Sequence, residues 1–302
     1  MQELSKETLK KFLAKKFPAS EIQFINEGWS SIAFQVNDKI FRFRKGGNLA
    51  GFRKEQKVID YARGRIKFEM PEITIIEDDE YPYSVHEKLN GNFWRPTRMG
   101  GHNSHVVIMD LPEALRDAFF NDIAEFLFAM HSIDKKDINK VAPEVEFYGW
   151  GGTRPEFMDK IGDMLTTVLS VRDTDIILKK SESAFAKIIG DTVFTHGDIH
   201  GENSLLNNNN ELYAIFDWGN AKFDELEYDF SKLIAPDAPE FLQNIMAAYK
   251  KLGGRDIDVE RAHELNLMDV VGCLWMVNKE DDLRNIKDRE MEWIKKALRD
   301  FL

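Results

Sequence analysis

The chain has 302 residues, 43% of them hydrophobic and 31% charged, a balance that excludes a disordered polypeptide and gives enough length for two domains or one large two-lobed unit. Its longest apolar run, residues 270–277, is too short to cross a bilayer, and the charged, amphipathic residues 1–17 lack a signal-peptide core. The one cysteine, Cys273, lies in that apolar run and excludes a disulfide framework, so a cytoplasmic location without a membrane partner is expected. Residues 1–91 carry 16 basic and 14 acidic side chains; since the whole chain is −11, the remainder carries −13. An acidic C-terminal two-thirds attracts a cationic small molecule and repels nucleic acid.

In chain order, Leu9, Phe12, Leu13 and Phe17 recur at helical spacing behind Ser5, a suitable N-cap. Three short strands follow at 22–27, 31–36 and 40–44, joined by turns at 28–30 and 37–39. A helix is predicted over 52–62 and strands over 73–76 and 83–87, which together make a small antiparallel sheet with one helix against it. After Leu89-Asn90-Gly91 the pattern changes. Leu115, Phe119, Ile123, Phe126, Leu127 and Met130 share one face of a long helix closing at His131-Ser132. Helices are expected at 156–170, 176–189 and 220–236 and again toward the end, with a hairpin over 204–206 and 212–216. A boundary near residues 87–92 divides the chain into residues 1–91 and 92–302.

The chemistry concentrates in His196-Gly197-Asp198-Ile199-His200-Gly201-Glu202-Asn203 and Asp217-Trp218-Gly219. Asp198, on a loop, suits a general base that orients an acceptor hydroxyl and takes its proton. Asn203 and Asp217 supply the hard oxygens that Mg²⁺ prefers, the remaining ligands coming from water and phosphate. Taken singly, each has a plainer reading: an Asx turn, a turn former or a helix cap. In this order they point to phosphoryl transfer.

A cationic phosphate grip is expected from the first strands. In the alternating run Ile40 to Arg44, Arg42 and Arg44 share the face opposite Phe41 and Phe43. Arg42 is the candidate, with Glu55 on the next helix fixing its direction; an ordinary surface pair is the alternative. The turn Gly28-Trp29-Ser30-Ser31 offers one glycine and two hydroxyls to a phosphate, or simply closes a hairpin. His196 and His200, four apart around Asp198, invite a zinc reading, but the flanking glycines indicate a loop that does not align two imidazoles.

At these residues the chain resembles the aminoglycoside phosphotransferase family of small-molecule kinases. The stretch His196–Asn203 is similar to its catalytic loop and Asp217-Trp218-Gly219 to its metal-binding turn. Met130-His131-Ser132 resembles a helix end that precedes its substrate region. Glu227-Tyr228-Asp229 resembles a segment whose Asp braces the catalytic loop. The run His86-Glu87-Lys88-Leu89-Asn90-Gly91 resembles the hinge that receives the base of ATP or GTP. The resemblance implies an α+β, protein-kinase-like, two-lobed fold: a small antiparallel-sheet nucleotide lobe over 1–91, with its hinge at 86–91, and a helical catalytic and substrate lobe over 92–302. It also implies ATP or GTP with Mg²⁺ as donor and a small, cationic acceptor such as an aminoglycoside, with no obligate protein partner. His200, Glu202, Asp224, Glu225, Asp237, Glu240, Glu280 and Asp281 are the candidates for contacting that acceptor. Arg42 stands where a kinase lysine is expected, replacing a point charge by a planar fork.

Other readings are weaker. Gly197-Asp198-Ile199-His200-Gly201 also matches the opening of metal-dependent phosphoprotein phosphatases, but no downstream Asp- and His-bearing motifs complete a two-metal site. Ala238-Pro239-Glu240 matches the end of a protein-kinase activation loop, yet His200 stands where such a kinase has Lys, and no glycine-rich loop precedes it. A macrolide, a choline-like amine or a sugar is an alternative acceptor. A nucleotide-binding scaffold without activity is the competing class.

Overall fold

The computed structural model describes residues 4–98, 105–142, 154–187, 191–279 and 287–302. Ser5 caps α1 (Lys6–Lys16) by accepting the Thr8 N–H at 3.2 Å. Leu9, Phe12 and Leu13 on that helix cover one face of an antiparallel sheet. The sheet is built from β1 (Ile22–Glu27), β2 (Ser31–Val36), β3 (Lys39–Arg44), β4 (Thr74–Ile76) and β5 (Tyr83–Glu87), in spatial order β1-β2-β3-β5-β4. Period-two alternation decides its faces. Ile32, Phe34, Val36, Phe41 and Phe43 point into the core with α1, which leaves Arg42 and Arg44 on the other face beside α2 (Ala50–Ala62). Phe43 is fully buried, with Phe12, Phe34 and Tyr83 rings at 6.0, 6.3 and 5.4 Å.

Beyond the sheet, β6 (Trp94–Arg95) pairs in parallel with β7 (Val106–Val107). Four helices follow: α3 (Glu113–His131), α4 (Lys135–Val141), α5 (Arg154–Thr166) and α6 (Val171–Ala186). Then come β8 (Thr192–Thr195), the hairpin of β9 (Ser204–Leu206) and β10 (Leu212–Ile215), and β11 (Lys222–Glu225). The chain continues through α7 (Glu227–Ser231), α8 (Pro239–Lys251), α9 (Val259–Lys279) and α10 (Lys287–Arg299). The large core joins α3, α8, the hairpin and the end of α2 around Trp94, Phe119, Phe126, Trp218, Phe230 and Phe241. A second core joins α5, α6, α9 and α10. Among the described residues no helix is long and apolar enough to cross a membrane.

Two expectations are corrected. The helix predicted over 220–236 is instead β11, paired antiparallel with β8, followed by the short α7. Lys222 and Asp224, two apart and so on one strand face, pair at 2.7 Å, an arrangement a helix would not permit. The helices predicted at 156–170 and 176–189 also shift. Ser170 does not end α5 but caps α6, accepting the Asp173 N–H at 3.2 Å, so α6 starts at Val171.

The hairpin forms the floor beneath the sheet. Asn92 and Leu206 exchange both backbone hydrogen bonds at 2.9 Å, Glu69 N–H donates to Tyr213 O at 2.8 Å, and Ile215 N–H donates to Glu69 O at 3.0 Å. The segments that follow the hinge and α2 are thereby stitched to the strands that flank Asn203 and Asp217.

Replacing Phe43 by Ala should destabilise the fold by about 3–5 kcal/mol, since it empties the centre of the sheet core. A urea denaturation curve measures this; an unchanged midpoint would show that the core closes over the gap.

Candidate active site

Between β8 and β9 the chain makes a loop held from behind by a buried carboxylate. Asp229, on α7, is fully buried and accepts the His196 N–H at 3.0 Å and the Gly197 N–H at 2.8 Å. The His131 Nε2 lies 3.2 Å from the same carboxylate, and its Nδ1 is 3.0 Å from the Tyr249 hydroxyl. Burial alone would raise the Asp229 pKa, but His131 and the Gly197 N–H hold it below the ordinary carboxylate value. Gly197 takes φ +80°, and a Cβ there would come within 2.6 Å of Asn220 O. Only glycine makes this left-handed step freely, and the step swings Asp198 out of the core.

His196 turns inward, packed by Trp218 and Phe126 with ring centroids at 4.9 and 5.9 Å. Its Nδ1 accepts the Asp198 N–H at 3.3 Å, and burial pushes its pKa down, so it stays neutral. His200 sits on the open side, its Nε2 3.6 Å from Asp198 Oδ1 and its Nδ1 accepting the Glu202 N–H at 3.1 Å. The two imidazoles therefore face opposite sides of the loop, and Asp198 meets both. Among the described residues no group of three or more His, Cys, Asp and Glu side chains is placed to hold a metal.

Asn203 donates through Nδ2 to Asp198 O at 2.9 Å and to Asp198 Oδ2 at 3.1 Å. Both are acceptors, so the amide must present its nitrogen to them and its oxygen the other way. Asn220 adds a weaker donor to Asp198 Oδ2 at 3.4 Å. Asp217 lies at the end of the hairpin with φ 61° and ψ 60°, a left-handed conformation that Asp tolerates better than most non-glycine residues. It precedes the helical turn at Trp218–Asn220 yet makes no side-chain cap bond, and its side chain is 46% exposed. The carboxylate is thus free of local duty and open to the cleft. An amide oxygen and an open carboxylate are a donor set that fits Mg²⁺.

Across the cleft, Arg42 Nη1 donates to Glu55 Oε1 and Oε2 at 2.9 and 3.0 Å, and Arg42 Nη2 lies 3.6 Å from Asp217 Oδ1. Glu55 is 1% exposed and also accepts a backbone hydrogen bond from Trp218. Burial alone would lower the Arg42 pKa, but Glu55 and Asp217 hold it above the ordinary value, so the fork is always charged. The sequence's Arg42, Glu55, Asp198, Asn203 and Asp217 are therefore brought to one cleft.

The remaining candidates separate. Gly28 N–H closes the β1–β2 turn onto Ser31 O at 2.9 Å, so it is not an open phosphate donor; Ser30 O accepts from the Lys45 N–H. In the hinge, burial pushes His86 down to about 4, and its Nδ1 lies 2.8 Å from Glu87 O. Glu87 pairs with Lys39 at 3.1 Å, Lys88 N–H donates to Asp38 O and its ammonium to Gln35 at 3.0 Å, so these side chains engage the sheet. Asp224 and Glu225, expected to line an acidic pocket, are buried and neutralised instead. Asp224 holds Lys222, and Glu225 receives Arg261 Nε and Nη2 at 2.6 and 2.5 Å. Glu202 is exposed, with His105 Nε2 at 3.8 Å. Asp237 is exposed and hydrogen-bonded by Thr97, and Glu240 is exposed in the first turn of α8. Glu280 and Asp281 lie outside the described residues. Sequence reasoning missed Arg261 and Asn220; a lone Arg inside an apolar helix stripe was the available signal for the first.

A small sheet carrying an Arg–Glu pair above a helical body with an Asp–Asn–Asp cluster defines the kinase-like class of phosphoryl-transfer folds. Residues 21–264 match the model of the phosphotransferase enzyme family (APH), and the chain belongs to that family of phosphotransferases. Among its relatives is the hygromycin-B 4-O-kinase of Escherichia coli, 22% identical over 253 residues, 76% of this chain and 67% of that protein. Aminoglycoside 2'-phosphotransferase-IIIa, solved as its GDP complex, superposes with a TM-score of 0.76 at 19% identity over 99% of this chain and all of the other. Macrolide 2'-phosphotransferase type I superposes at 0.69 with 15% identity over 99% of each chain.

Asp229→Ala leaves two buried N–H donors unpaired, at about 1–3 kcal/mol each. Because the native Asp229 pKa lies below its unfolded value, the ionic part of this stabilisation is complete above the ordinary pKa of 3.8 and is lost as pH falls through the native value. Urea unfolding should therefore show a gap between native chain and variant that is full at pH 7 and narrows below about pH 4. A gap independent of pH would contradict an ionised clamp.

Proposed function

We propose that this phosphotransferase moves the terminal phosphoryl group of ATP or GTP, with Mg²⁺, to a hydroxyl of a small cationic molecule, an aminoglycoside first among them. The observation that carries the reading is the convergence of Asp198, Asn203, Asp217 and the Glu55-held Arg42 on one cleft. In this reading residues 1–91, with the hinge at 86–91, hold the nucleotide, and residues 92–302 supply the base and the acceptor pocket. The nucleotide-bound and aminoglycoside-bound forms of the similar proteins support both halves.

Asn203 and Asp217 would hold the metal, which would supply positive charge against the phosphates. Arg42 contacts the phosphates through its remaining N–H groups, and Glu55 keeps the fork from swinging away. Asp198 accepts a hydrogen bond from the acceptor hydroxyl and takes its proton as the oxygen attacks the terminal phosphorus in line; the nucleoside diphosphate departs. Asn203 and Asn220 hold one oxygen of Asp198, so the other stays directed at the acceptor. Positioning and charge neutralisation carry most of the rate.

Neutralisation of Asp224 and Glu225 removes two acids from the pocket and favours, as second reading, a less charged acceptor such as a macrolide. An inactive scaffold is disfavoured by the intact trio Asp198, Asn203 and Asp217 beside the Glu55-held Arg42.

Incubating the chain with ATP or GTP, Mg²⁺ and panels of aminoglycosides and macrolides, then weighing the products, should reveal an acceptor gaining one phosphoryl group. No product from either panel would overturn the antibiotic-kinase reading. Asp198→Asn should lower kcat by about 100-fold or more with nucleotide affinity nearly unchanged. Full turnover in that variant would remove Asp198 from its role. Asp217→Ala should abolish the Mg²⁺ dependence of nucleotide binding in a titration calorimeter; an affinity still raised by Mg²⁺ would place the metal elsewhere.

A further inference from the structure

Three cations stand close together where β3 leaves the sheet, and they are not equivalent. Arg42 is held by Glu55, and Lys45 lies 2.9 Å from Glu27. Arg44 has no carboxylate or hydrogen-bond partner among the described residues. It nonetheless has a defined seat. In the β2–β3 register it lies opposite Ser31, at the mouth of the β1–β2 turn. Strand alternation puts it on the same face as Arg42, away from the Phe41–Phe43 core. Its Cζ lies 5.9 Å from the centroid of the Phe52 ring, while the Cζ of Arg42 lies 4.9 Å from the same ring. Its fork also lies over Gly51, in the first turn of α2: a Cβ there would come within 2.6 Å of Nη1 and 2.7 Å of Cζ. The absent side chain at residue 51 is what makes room for it.

Two guanidiniums on one ring repel each other, and the two carboxylates whose charge reaches Arg44, Glu55 and Asp217, are both already engaged by Arg42. Burial, and then the charge of Arg42, pull the Arg44 pKa below the ordinary arginine value, as expected for a cation short of counter-charge. Such an arrangement gains from an anion that neutralises both forks at once. A planar fork on each side matches the non-bridging oxygens of a polyphosphate better than one fork can.

We propose that Arg44 is a second phosphate-contacting cation, gripping the nucleotide's polyphosphate beside Arg42, with Gly51 as the space that seats it. This rests on the nucleotide-dependent reading given above. It adds a specificity element: affinity that rises with the number of phosphates and does not depend on the base. Arg42 is bonded to Glu55 and lies 3.6 Å from Asp217, and so reports on the catalytic geometry, whereas Arg44 feels both carboxylates only at longer range.

The test is equilibrium binding of the full chain, with Mg²⁺, to a nucleoside and its di- and triphosphate, for both adenine and guanine. Arg44→Gln should weaken triphosphate binding about tenfold or more, with nucleoside affinity and the thermal midpoint unchanged. Arg44→Lys should recover part of the loss. Gly51→Ala, which displaces the fork without removing its charge, should weaken the triphosphate in the same direction, and the double variant should lose less than the sum. Triphosphate affinity within about twofold of the unsubstituted chain in Arg44→Gln overturns the inference alone. So does an equal loss for the bare nucleoside, which would indicate a purely structural role. Failure of the unsubstituted chain to bind any of these nucleotides overturns the nucleotide-dependent reading and this inference with it.

Discussion

The buried carboxylate of Asp229 is the constraint from which the site geometry follows. It sits in the core with no access to water, so its charge survives only because two backbone N–H groups and His131 surround it. Those N–H groups belong to His196 and Gly197, and fixing them fixes the left-handed step that follows. Asp198 is aimed by that step, and Asn203 then locks it from the side. The His196 ring fills the space behind against Trp218, which itself reaches Glu55 through its backbone. One chain of contacts thus runs from α7 through the loop to α2 and ends on Arg42.

Charge is handled in two different ways. In the interior, cations and carboxylates are matched pairwise: Lys222 with Asp224, Arg261 with Glu225 and Glu264, Lys232 with Asp269. Each pair offsets a desolvation cost that either partner alone would impose. In the cleft the matching is incomplete. Asp217 is half exposed, with one distant contact to Arg42, and Asp198 has one oxygen held by amides and the other 3.6 Å from His200 Nε2. Of the acids expected to meet an acceptor, Asp224 and Glu225 belong to the matched interior, while Glu202, Asp237 and Glu240 are exposed.

Much of this was legible in the sequence, and the reasons are local. The sheet strands alternate strictly, so Phe41 and Phe43 declared the core face, and Arg42 the cleft face. The loop at 196–203 and the turn after the hairpin carry residue types that few other roles require together. The stretch 220–236 was misread because Leu226, Phe230 and Leu233 do have helical spacing and are buried, but they straddle two elements. The strand before them is buried at all four residues, with Lys222 and Asp224 neutralising each other, so no polar face announces it. For the same reason Asp224 and Glu225 looked available to a substrate. Burial of a charged residue depends on partners such as Arg261, 36 residues away, and no local pattern encodes them.

The central claim is that side chains from three separate segments meet on one metal-bridged polyphosphate. A crystal structure of the chain grown with Mg²⁺ and a non-hydrolysable triphosphate nucleotide tests it most directly. The account predicts the metal bound by the oxygens of Asn203 and Asp217, with the phosphates against Arg42 and the terminal phosphorus facing Asp198. A nucleotide seated elsewhere, or a terminal phosphate remote from Asp198, would contradict it.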